Sequence, residues 1–403
     1  MDTWFFRKLI RRLPGRVIHC IPTPEPRVME GYGCRQKAGS YLQEKAYKRV
    51  LLITDQTIHA LGYDQLIEQG LQERQIDYVK FDAISSEPDI ATVEACRKVA
   101  LAHKAECVIA LGGGSVLDIS KIVAAGVKIP HCSIRSLLLK FLPVPGKTLP
   151  IVAVPTTAGT GAEVSVGAIL LNDKGIKKST VLLGLNVELV ILDSELTIHA
   201  PLNVTAACGM DALSHAIEGA VSAVRVKEKD AAYAKEGVRL VLQHLPEVMA
   251  HPDNADARMG MCRAALYGGH TINKQLAGYV HAFAHSIGAK YHLSHGNAIS
   301  LVLLPVLEYQ KQACMDKYAM LARYCHITDK KDDSEAAEDF LKAVANLLDL
   351  CGMNKLKSPV QTSDYASLVK MIAADSINYS SPITLKNSDI IQILKTITVN
   401  QTA

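Results

Sequence analysis

The sequence predicts two domains: an α/β domain built on a parallel, helix-covered sheet, and an all-α domain after it. In the first half of the chain, short apolar runs alternate with segments of helical spacing, as in folds with a parallel sheet. After about Thr197, apolar residues recur at intervals of three and four, and strand-like alternation disappears. The length of 403 residues is sufficient for two or three domains.

The strand predictions depend on short apolar runs in the first half of the chain. Five of these runs cover residues 50–54, 78–81, 107–111, 151–154 and 189–192. Most are separated by segments of helical spacing, such as residues 90–103. A further run, residues 166–171, leads into Asn172-Asp173-Lys174-Gly175, which is typical of a strand entering a tight turn.

The helical predictions cover the second half of the chain. Helical spacing is clear at residues 230–249, 257–277, 334–351 and 389–397. We therefore divide the chain into an N-terminal extension (1–26), an α/β domain (27–196) and a helical domain (197–403). Ligand sites commonly lie between domains, so we expect the active site in the cleft between these two.

The N-terminal extension is basic and amphipathic. It lacks the continuous apolar core and the small-residue cleavage site of a secretory signal. We interpret it as a helix packed on the body of the protein. A role at a membrane surface or in organelle targeting is the alternative.

Composition excludes several classes of function. One tryptophan, six phenylalanines and a net charge of +4 without a dense basic block argue against nucleic-acid binding. No apolar stretch approaches the ~18 residues of a membrane span. The ten cysteines contain no CxxC pair, which favours a reducing compartment, and we expect the cytoplasm.

One carboxylate and several histidines are spaced as in metal sites. Asp211 and His215 are four residues apart, so a helix would direct both side chains the same way. His281, His285 and His295 follow in a second segment. An aspartate oxygen with imidazole nitrogens suits Fe(II) or Zn(II). Spacing alone does not exclude His285 as a ligand.

Three features of the first half suit a dinucleotide. The turn Gly112-Gly113-Gly114-Ser115 follows an apolar run and would direct backbone N–H groups to a pyrophosphate, although glycine also serves purely structural turns. The segment Thr156-Thr157-Ala158-Gly159-Thr160-Gly161 places three hydroxyls in a second loop, where local capping is the alternative role. Asp55 ends a predicted strand; its carboxylate favours NAD over NADP, unless it only caps a turn.

Four segments in this order resemble the iron-containing alcohol dehydrogenase family. They are residues 110–118, 153–163, 209–218 and 281–296, within a similarity that runs from about Arg27 to about Pro305. The resemblance implies a dehydroquinate synthase-like fold and a homodimer or higher homo-oligomer. It implies a metal, iron or alternatively zinc, bound by Asp211, His215, His281 and His295. It assigns His285 to proton relay or positioning instead.

The resemblance also implies residues that contact the cofactor and the substrate. The expected NAD contacts are Asp55, Gly112, Gly113, Gly114, Ser115, Asp118, Thr156, Thr157, Thr160 and Lys177. Lys178 is an alternative to Lys177 after a small shift in alignment. The expected substrate pocket contains Val166, Gly167 and Thr271.

The resulting prediction is an NAD-dependent, metal-dependent alcohol dehydrogenase. It would transfer hydride between NAD(H) and a small alcohol, aldehyde or ketone. The alternatives are a relative of the same fold with a different reaction, such as a transhydrogenase or a cyclase, and a non-catalytic binding protein. The cyclase is disfavoured because the sequence shows no convincing basic cluster for a phosphorylated sugar acid.

Overall fold

A computed structural model describes residues 23–85, 88–137, 142–143, 146–172 and 177–398. These residues form two compact units, one that ends at Ala200 and one that begins at Pro201. Residues 1–22 of the predicted extension lie outside the described residues, as do residues 173–175 of the predicted tight turn.

A parallel sheet of six strands forms the centre of the first unit. Its strands are β1 (Arg27–Glu30), β2 (Arg49–Asp55), β3 (Asp77–Ile84), β4 (Cys107–Gly112), β6 (Ile151–Pro155) and β9 (Val187–Leu192). Their order in the sheet is β1-β9-β6-β4-β2-β3, and every neighbouring pair is parallel. Strands β4 and β6 are buried at every residue, which explains their uninterrupted apolar sequences.

Among the described residues of the first unit, a smaller sheet, seven α-helices and a 3-10 turn at Cys34–Lys37 accompany this sheet. In the smaller sheet, β8 (Lys177–Leu183) pairs antiparallel with β7 (Gly167–Leu171) and parallel with β5 (Leu142–Pro143). The helices are α1 (Ala38–Glu44), α2 (Gln56–Ala60), α3 (Gln65–Gln72), α4 (Ile90–His103), α5 (Gly114–Lys128), α6 (Ile134–Leu137) and α7 (Glu195–Ile198). Helix α4 begins and ends at the residues predicted from sequence.

The regular secondary structure in the described residues of the second unit is entirely helical. Its helices are α8 (Leu202–Val221), α9 (Glu228–Ala250), α10 (Ala255–Gln275), α11 (Tyr279–Tyr291), α12 (His295–Tyr324), α13 (Asp333–Leu350), α14 (Tyr365–Asp375) and α15 (Asn387–Ile397). Three short 3-10 turns lie at Met353–Lys355, Thr362–Asp364 and Ser376–Asn378. In the described part of the chain, no helix combines the length and the apolar character needed to cross a membrane. The predicted fold class is confirmed.

An unusual backbone conformation follows α10. Leu276 has φ 61° and ψ 164°, a combination that glycine adopts readily and other residues rarely do. Two hydrogen bonds join this end of α10 to the end of α8: Gln275 Nε2 donates to the carbonyl of Gly219, and Ser222 Oγ donates to the carbonyl of Gln275. The chain therefore enters α11 through a constrained turn.

Candidate active site

One face of α8 carries three buried polar side chains. Asp211, His215 and Glu218 lie at positions i, i+4 and i+7 of this helix, and each is at most 5% exposed. Side chains at these intervals point the same way from a helix. The helix therefore presents two carboxylates and an imidazole to the same interior region of the second unit.

Asp211, His281 and His295 form a compact group of donor atoms. Each offers one ligand atom, and these atoms all lie within 4.8 Å of one another. Asp211 Oδ1 is 3.2 Å from His295 Nε2 and 3.7 Å from His281 Nε2. Neither Asp211 Oδ1 nor His281 Nε2 hydrogen-bonds to a described residue, although both are buried. Buried polar atoms normally have partners, so this donor set fits a bound cation.

His215 lies beside this group without being part of it. Its Nε2 is 3.8 Å from Asp211 Oδ1, and its ring stacks on that of His281 with centroids 4.5 Å apart. Among the described residues, the group with all ligand atoms within 4.8 Å contains Asp211, His281 and His295 only. The structure thus brings together all four predicted ligands, three of them tightly.

The charges of the cluster shift the pKa values of its members. Burial alone would raise the pKa of Asp211, but the surrounding histidines hold it well below its usual range. Burial lowers the pKa of His215 to about 3, against the opposing effect of Asp211. Burial also opposes the protonation of His281, yet Glu218 and Asp211 raise its pKa to about 10.

Glu218 contacts the second ligand segment directly. Its Oε2 is 2.5 Å from His281 Nδ1, and its Oε1 accepts a hydrogen bond of 2.6 Å from the backbone N–H of Val280. No role for Glu218 was predicted from the sequence. Its position seven residues after Asp211, on the same helical face, is the signal that could have identified it.

His285 lies next to the ligands and has two polar partners of its own. Its Nδ1 is 3.1 Å from Asp375 Oδ2 and 2.9 Å from the hydroxyl of Tyr379. Burial lowers the pKa of His285, partly opposed by the bond to Asp375. Neither partner was predicted from the sequence, because they lie 90 and 94 residues further along the chain. No local pattern links such distant positions.

The predicted glycine turn joins β4 to α5 in the first unit. Gly112 ends β4, Gly113 has the extended conformation of an N-cap, and Gly114 begins the helix. The threonine loop lies against this turn: a Cβ added at Gly114 would be 3.3 Å from Thr160 Oγ1, and one at Gly113 would be 3.6 Å from Thr157 Oγ1. The backbone of Thr156 also donates a hydrogen bond to the carbonyl of Gly112.

Asp55 lies at the same edge of the sheet as the glycine turn. It ends β2, which is paired with β4, so both features lie at the carboxyl ends of adjacent parallel strands. Dinucleotides bind at this edge in doubly wound sheets. Asp55 also caps α2, because its Oδ1 accepts a hydrogen bond from the N–H of Ile58. One oxygen of the carboxylate thus has a local partner.

Asp118 belongs to a buried polar network around Lys121. Lys121 is 2% exposed, and its Nζ donates to Asp118 Oδ1, Ser165 Oγ and the carbonyl of Gly167. Asp118 Oδ2 accepts a hydrogen bond from the N–H of Ile169. This network ties α5 to the chain at the start of β7.

Glu163 is a buried carboxyl near this network. It is 3% exposed, and burial raises its pKa to about 7, although Lys121 acts in the opposite direction.

The other predicted contacts lie in several places. Val166 is buried just before β7. Thr271 is buried on α10, where it packs against Gly219 of α8. Lys177 begins β8, and its side chain lies outside what the structure describes.

Two family models match consecutive parts of the chain. The model described as "Iron-containing alcohol dehydrogenase" matches residues 24–194. The model described as "Fe-containing alcohol dehydrogenase family, C-terminal" matches residues 205–398. Together they span both compact units, and each covers almost all of the unit it matches.

Individual relatives match over most of their length. The chain is 30% identical to "Alcohol dehydrogenase 4" of Saccharomyces cerevisiae, over 91% of this chain and 95% of that protein. It is 32% identical to "1,3-propanediol dehydrogenase" of Citrobacter freundii, over 86% and 91%.

Solved structures resemble this chain over most of its length. A 1,3-propanediol oxidoreductase has a TM-score of 0.87 at 27% identity, with 94% of this chain and 100% of that chain covered. Sulfoacetaldehyde reductase from Bifidobacterium kashiwanohense, solved in complex with NAD+, has a TM-score of 0.85 at 27% identity, with coverage of 94% and 99%.

Proposed function

The chain belongs to the iron-containing alcohol dehydrogenase family, and on that premise we propose that it oxidises a small alcohol with NAD, or reduces the corresponding aldehyde or ketone with NADH. The observation that carries this proposal is the donor group of Asp211, His281 and His295, whose ligand atoms lie within 4.8 Å of one another. Two of these atoms, Asp211 Oδ1 and His281 Nε2, are buried without a hydrogen-bond partner among the described residues. Named relatives that act on alcohols and an NAD+ complex of a related reductase support it.

The donor atoms of the second unit would hold a divalent metal. Asp211, His281 and His295, with His215 as fourth ligand, supply one carboxylate and three imidazoles, which suits Fe(II), with Zn(II) as the alternative. When bound, such an ion acts as a Lewis acid on the oxygen of the alcohol or carbonyl. Asp211 contributes the negative charge that partly balances the cation, and the histidines contribute neutral donors.

The first unit, within residues 27–196, would bind the dinucleotide. The N–H groups of the glycine turn and the N-terminus of α5 favour a diphosphate. Asp55 would accept the adenosine ribose hydroxyls and repel a 2′-phosphate. When bound, NAD supplies the carbon that accepts or donates hydride. Further proposed contacts come from Ser115, Thr156, Thr157, Thr160, Asp118 and Lys177.

His285 would hold and pass the proton exchanged with the substrate. Asp375 is positioned to accept the Nδ1 proton of His285, which would leave Nε2 as the atom that exchanges a proton. Tyr379 lies within hydrogen-bond distance of the same Nδ1 and restrains the ring. Because burial lowers the pKa of His285, the neutral imidazole prevails near pH 7 and can accept a proton.

Further parts of the proposal concern the substrate pocket and the cellular setting. We assign Val166, Gly167 and Thr271 to the pocket on the family resemblance. The nine cysteines among the described residues are free, which supports a reducing compartment such as the cytoplasm. A homodimer or higher homo-oligomer is proposed on the same resemblance, with size-exclusion chromatography and light scattering as its test.

A substrate panel combined with metal analysis tests the proposal. Purified protein, stripped with a chelator and reloaded anaerobically with Fe(II) or Zn(II), is assayed at 340 nm with primary alcohols, short diols and their aldehydes. We expect NAD(H)-dependent turnover that needs the metal. Turnover that is equal in stripped and reloaded protein, or no NADH change with any member of the panel, would contradict the proposed reaction.

A further inference from the structure

We propose that Glu218 is the positioning residue of the metal centre: it fixes the tautomer and orientation of His281, so that Nε2 of this histidine is directed to the metal. This role rests on the proposed function, because it presupposes the metal held by Asp211, His281 and His295. Glu218 is not a member of the donor group. Its carboxylate contacts Nδ1 of His281, so the imidazole ring separates Glu218 from the donor atom Nε2.

The contact between Glu218 and Nδ1 of His281 determines which nitrogen of this histidine can bind the metal. A carboxylate only accepts hydrogen bonds, so the 2.5 Å contact requires the proton to sit on Nδ1. In a neutral imidazole this leaves the lone pair on Nε2, which lies 3.7 Å from Asp211 Oδ1 and has no hydrogen bond to a described residue. Metal-binding histidines commonly use an outer carboxylate in this way.

The second oxygen of Glu218 fixes the backbone that carries His281. Oε1 accepts the N–H of Val280, in the first turn of α11, where helical N–H groups have no partner within the helix. One carboxylate therefore restrains both the ring of His281 and the start of its helix. A role for Glu218 in packing alone would not require contacts with both the His281 ring and the Val280 backbone.

Gly278 provides independent support for this role. A Cβ added at Gly278 would lie 2.6 Å from Glu218 Oε1. The φ of Gly278 is −134°, outside the left-handed region that favours glycine, so the argument for glycine here is the space it leaves. Because Gly278 has no side chain, the carboxylate of Glu218 has room beside the start of α11.

Replacement of the carboxylate by an amide creates a specific conflict. If the oxygen of Glu218→Gln accepts the Val280 N–H, its NH₂ must donate to His281 Nδ1, which moves the ring proton to Nε2 and removes the metal-binding lone pair. If the amide adopts the flipped orientation, its NH₂ faces the N–H of Val280, and two hydrogen-bond donors lie against each other. Either arrangement weakens metal binding without removing a ligand.

The experiment compares cobalt affinities of metal-free proteins. Wild type, Glu218→Gln, Glu218→Asp and Gly278→Ala are titrated with Co²⁺, with d–d absorption as the readout and circular dichroism as the check on folding. Glu236→Gln is the matched control, because Glu236 on α9 pairs with Arg239 and Tyr324 instead. We expect Glu218→Gln to bind Co²⁺ roughly 10- to 100-fold more weakly. Gly278→Ala should also bind more weakly, Glu218→Asp should retain part of the affinity, and the control should match wild type.

A measurement on the wild type keeps the test decisive if a variant does not fold. In zinc-loaded protein with ¹⁵N-labelled histidine, His281 should show a proton on Nδ1; a metal-bound Nδ1 would overturn the proposal. So would a folded Glu218→Gln variant with wild-type cobalt affinity and spectrum, or an equal loss in the control. Absence of Co²⁺ binding by wild type would instead overturn the proposed metal centre and, with it, this role.

Discussion

Replacement of Glu163 by glutamine should make the stability of the protein less sensitive to pH. Glu163 is 3% exposed, and burial raises its pKa from 4.5 to about 7. Glutamine has nearly the same size, retains a polar head and carries no charge at any pH. The substitution therefore removes the titration and leaves the packing of the loop largely unchanged.

The sign and size of the effect follow from the two pKa values. Between pH 4.5 and about 7 the folded protein holds a proton that the unfolded chain releases, so stability falls as pH rises through this interval. The difference of about 2.5 pKa units corresponds to ~3 kcal/mol at pH 8, at ~1.4 kcal/mol per unit. Below pH 4.5 both states are protonated, and the carboxyl imposes no such penalty.

Thermal unfolding of metal-free, cofactor-free protein at pH 5 and pH 8 measures this effect. The two proteins should differ little at pH 5, while at pH 8 Glu163→Gln should unfold ~6–12 °C higher, from ~2–4 °C per kcal/mol for a unit of this size. Glu73→Gln is the control, because Glu73 is exposed and its pair with Arg74 contributes little. A gap between wild type and Glu163→Gln that is the same at both pH values would refute the reasoning.

Three further predictions concern the active site. Asp211→Asn should fold but bind metal much more weakly. The loss of metal affinity should exceed the roughly 10- to 100-fold expected when a residue that only contacts a metal ligand is replaced. Stoichiometric metal and full activity in this variant would disprove the proposed metal site. Asp55→Gly should narrow the preference for NAD over NADP by about tenfold, or ~1.4 kcal/mol, at little cost to α2, because glycine is tolerated at N-caps; equal use of both cofactors by wild type would show that Asp55 is not the determinant. His285→Asn should retain its metal, turn over alcohols more slowly and lose the fall in kcat that protonation of His285 causes below pH 6.5, because burial lowers the pKa of this histidine from 6.5 and asparagine does not titrate there; loss of metal together with activity would make His285 a ligand.

Periodicity was sufficient to predict the fold class. Buried central strands such as β4 and β6 are uninterrupted apolar runs, and the helices of the second unit carry clear helical spacing. The strands β1, β5 and β8 were not predicted. Strand β1 has four residues at a sheet edge and is largely exposed, and β5 has two, so neither contains a periodic pattern. Strand β8 begins with Lys-Lys-Ser-Thr, a polar sequence that resembles a loop.

The candidate site was predictable where its residues are close in sequence. Asp211 and His215 share a helix turn, and the glycine turn directly follows a strand. Contacts made by the fold over long separations had no such signal. Glu218 meets His281 across 63 residues, and Asp375 meets His285 across 90. Three-dimensional packing alone determines which distant carboxylate meets which histidine.

The turn at Leu276 has a consequence for local unfolding. A residue other than glycine in this conformation costs ~1–3 kcal/mol, and that energy is recovered whenever the segment opens. The turn lies five residues before His281, so transient opening between Leu276 and Val280 would withdraw this histidine from the other donors. Free energies of opening vary widely within one protein, and stored strain lowers the value for this segment. Occupancy of the metal centre and protection of the Val280 amide from hydrogen exchange are therefore coupled.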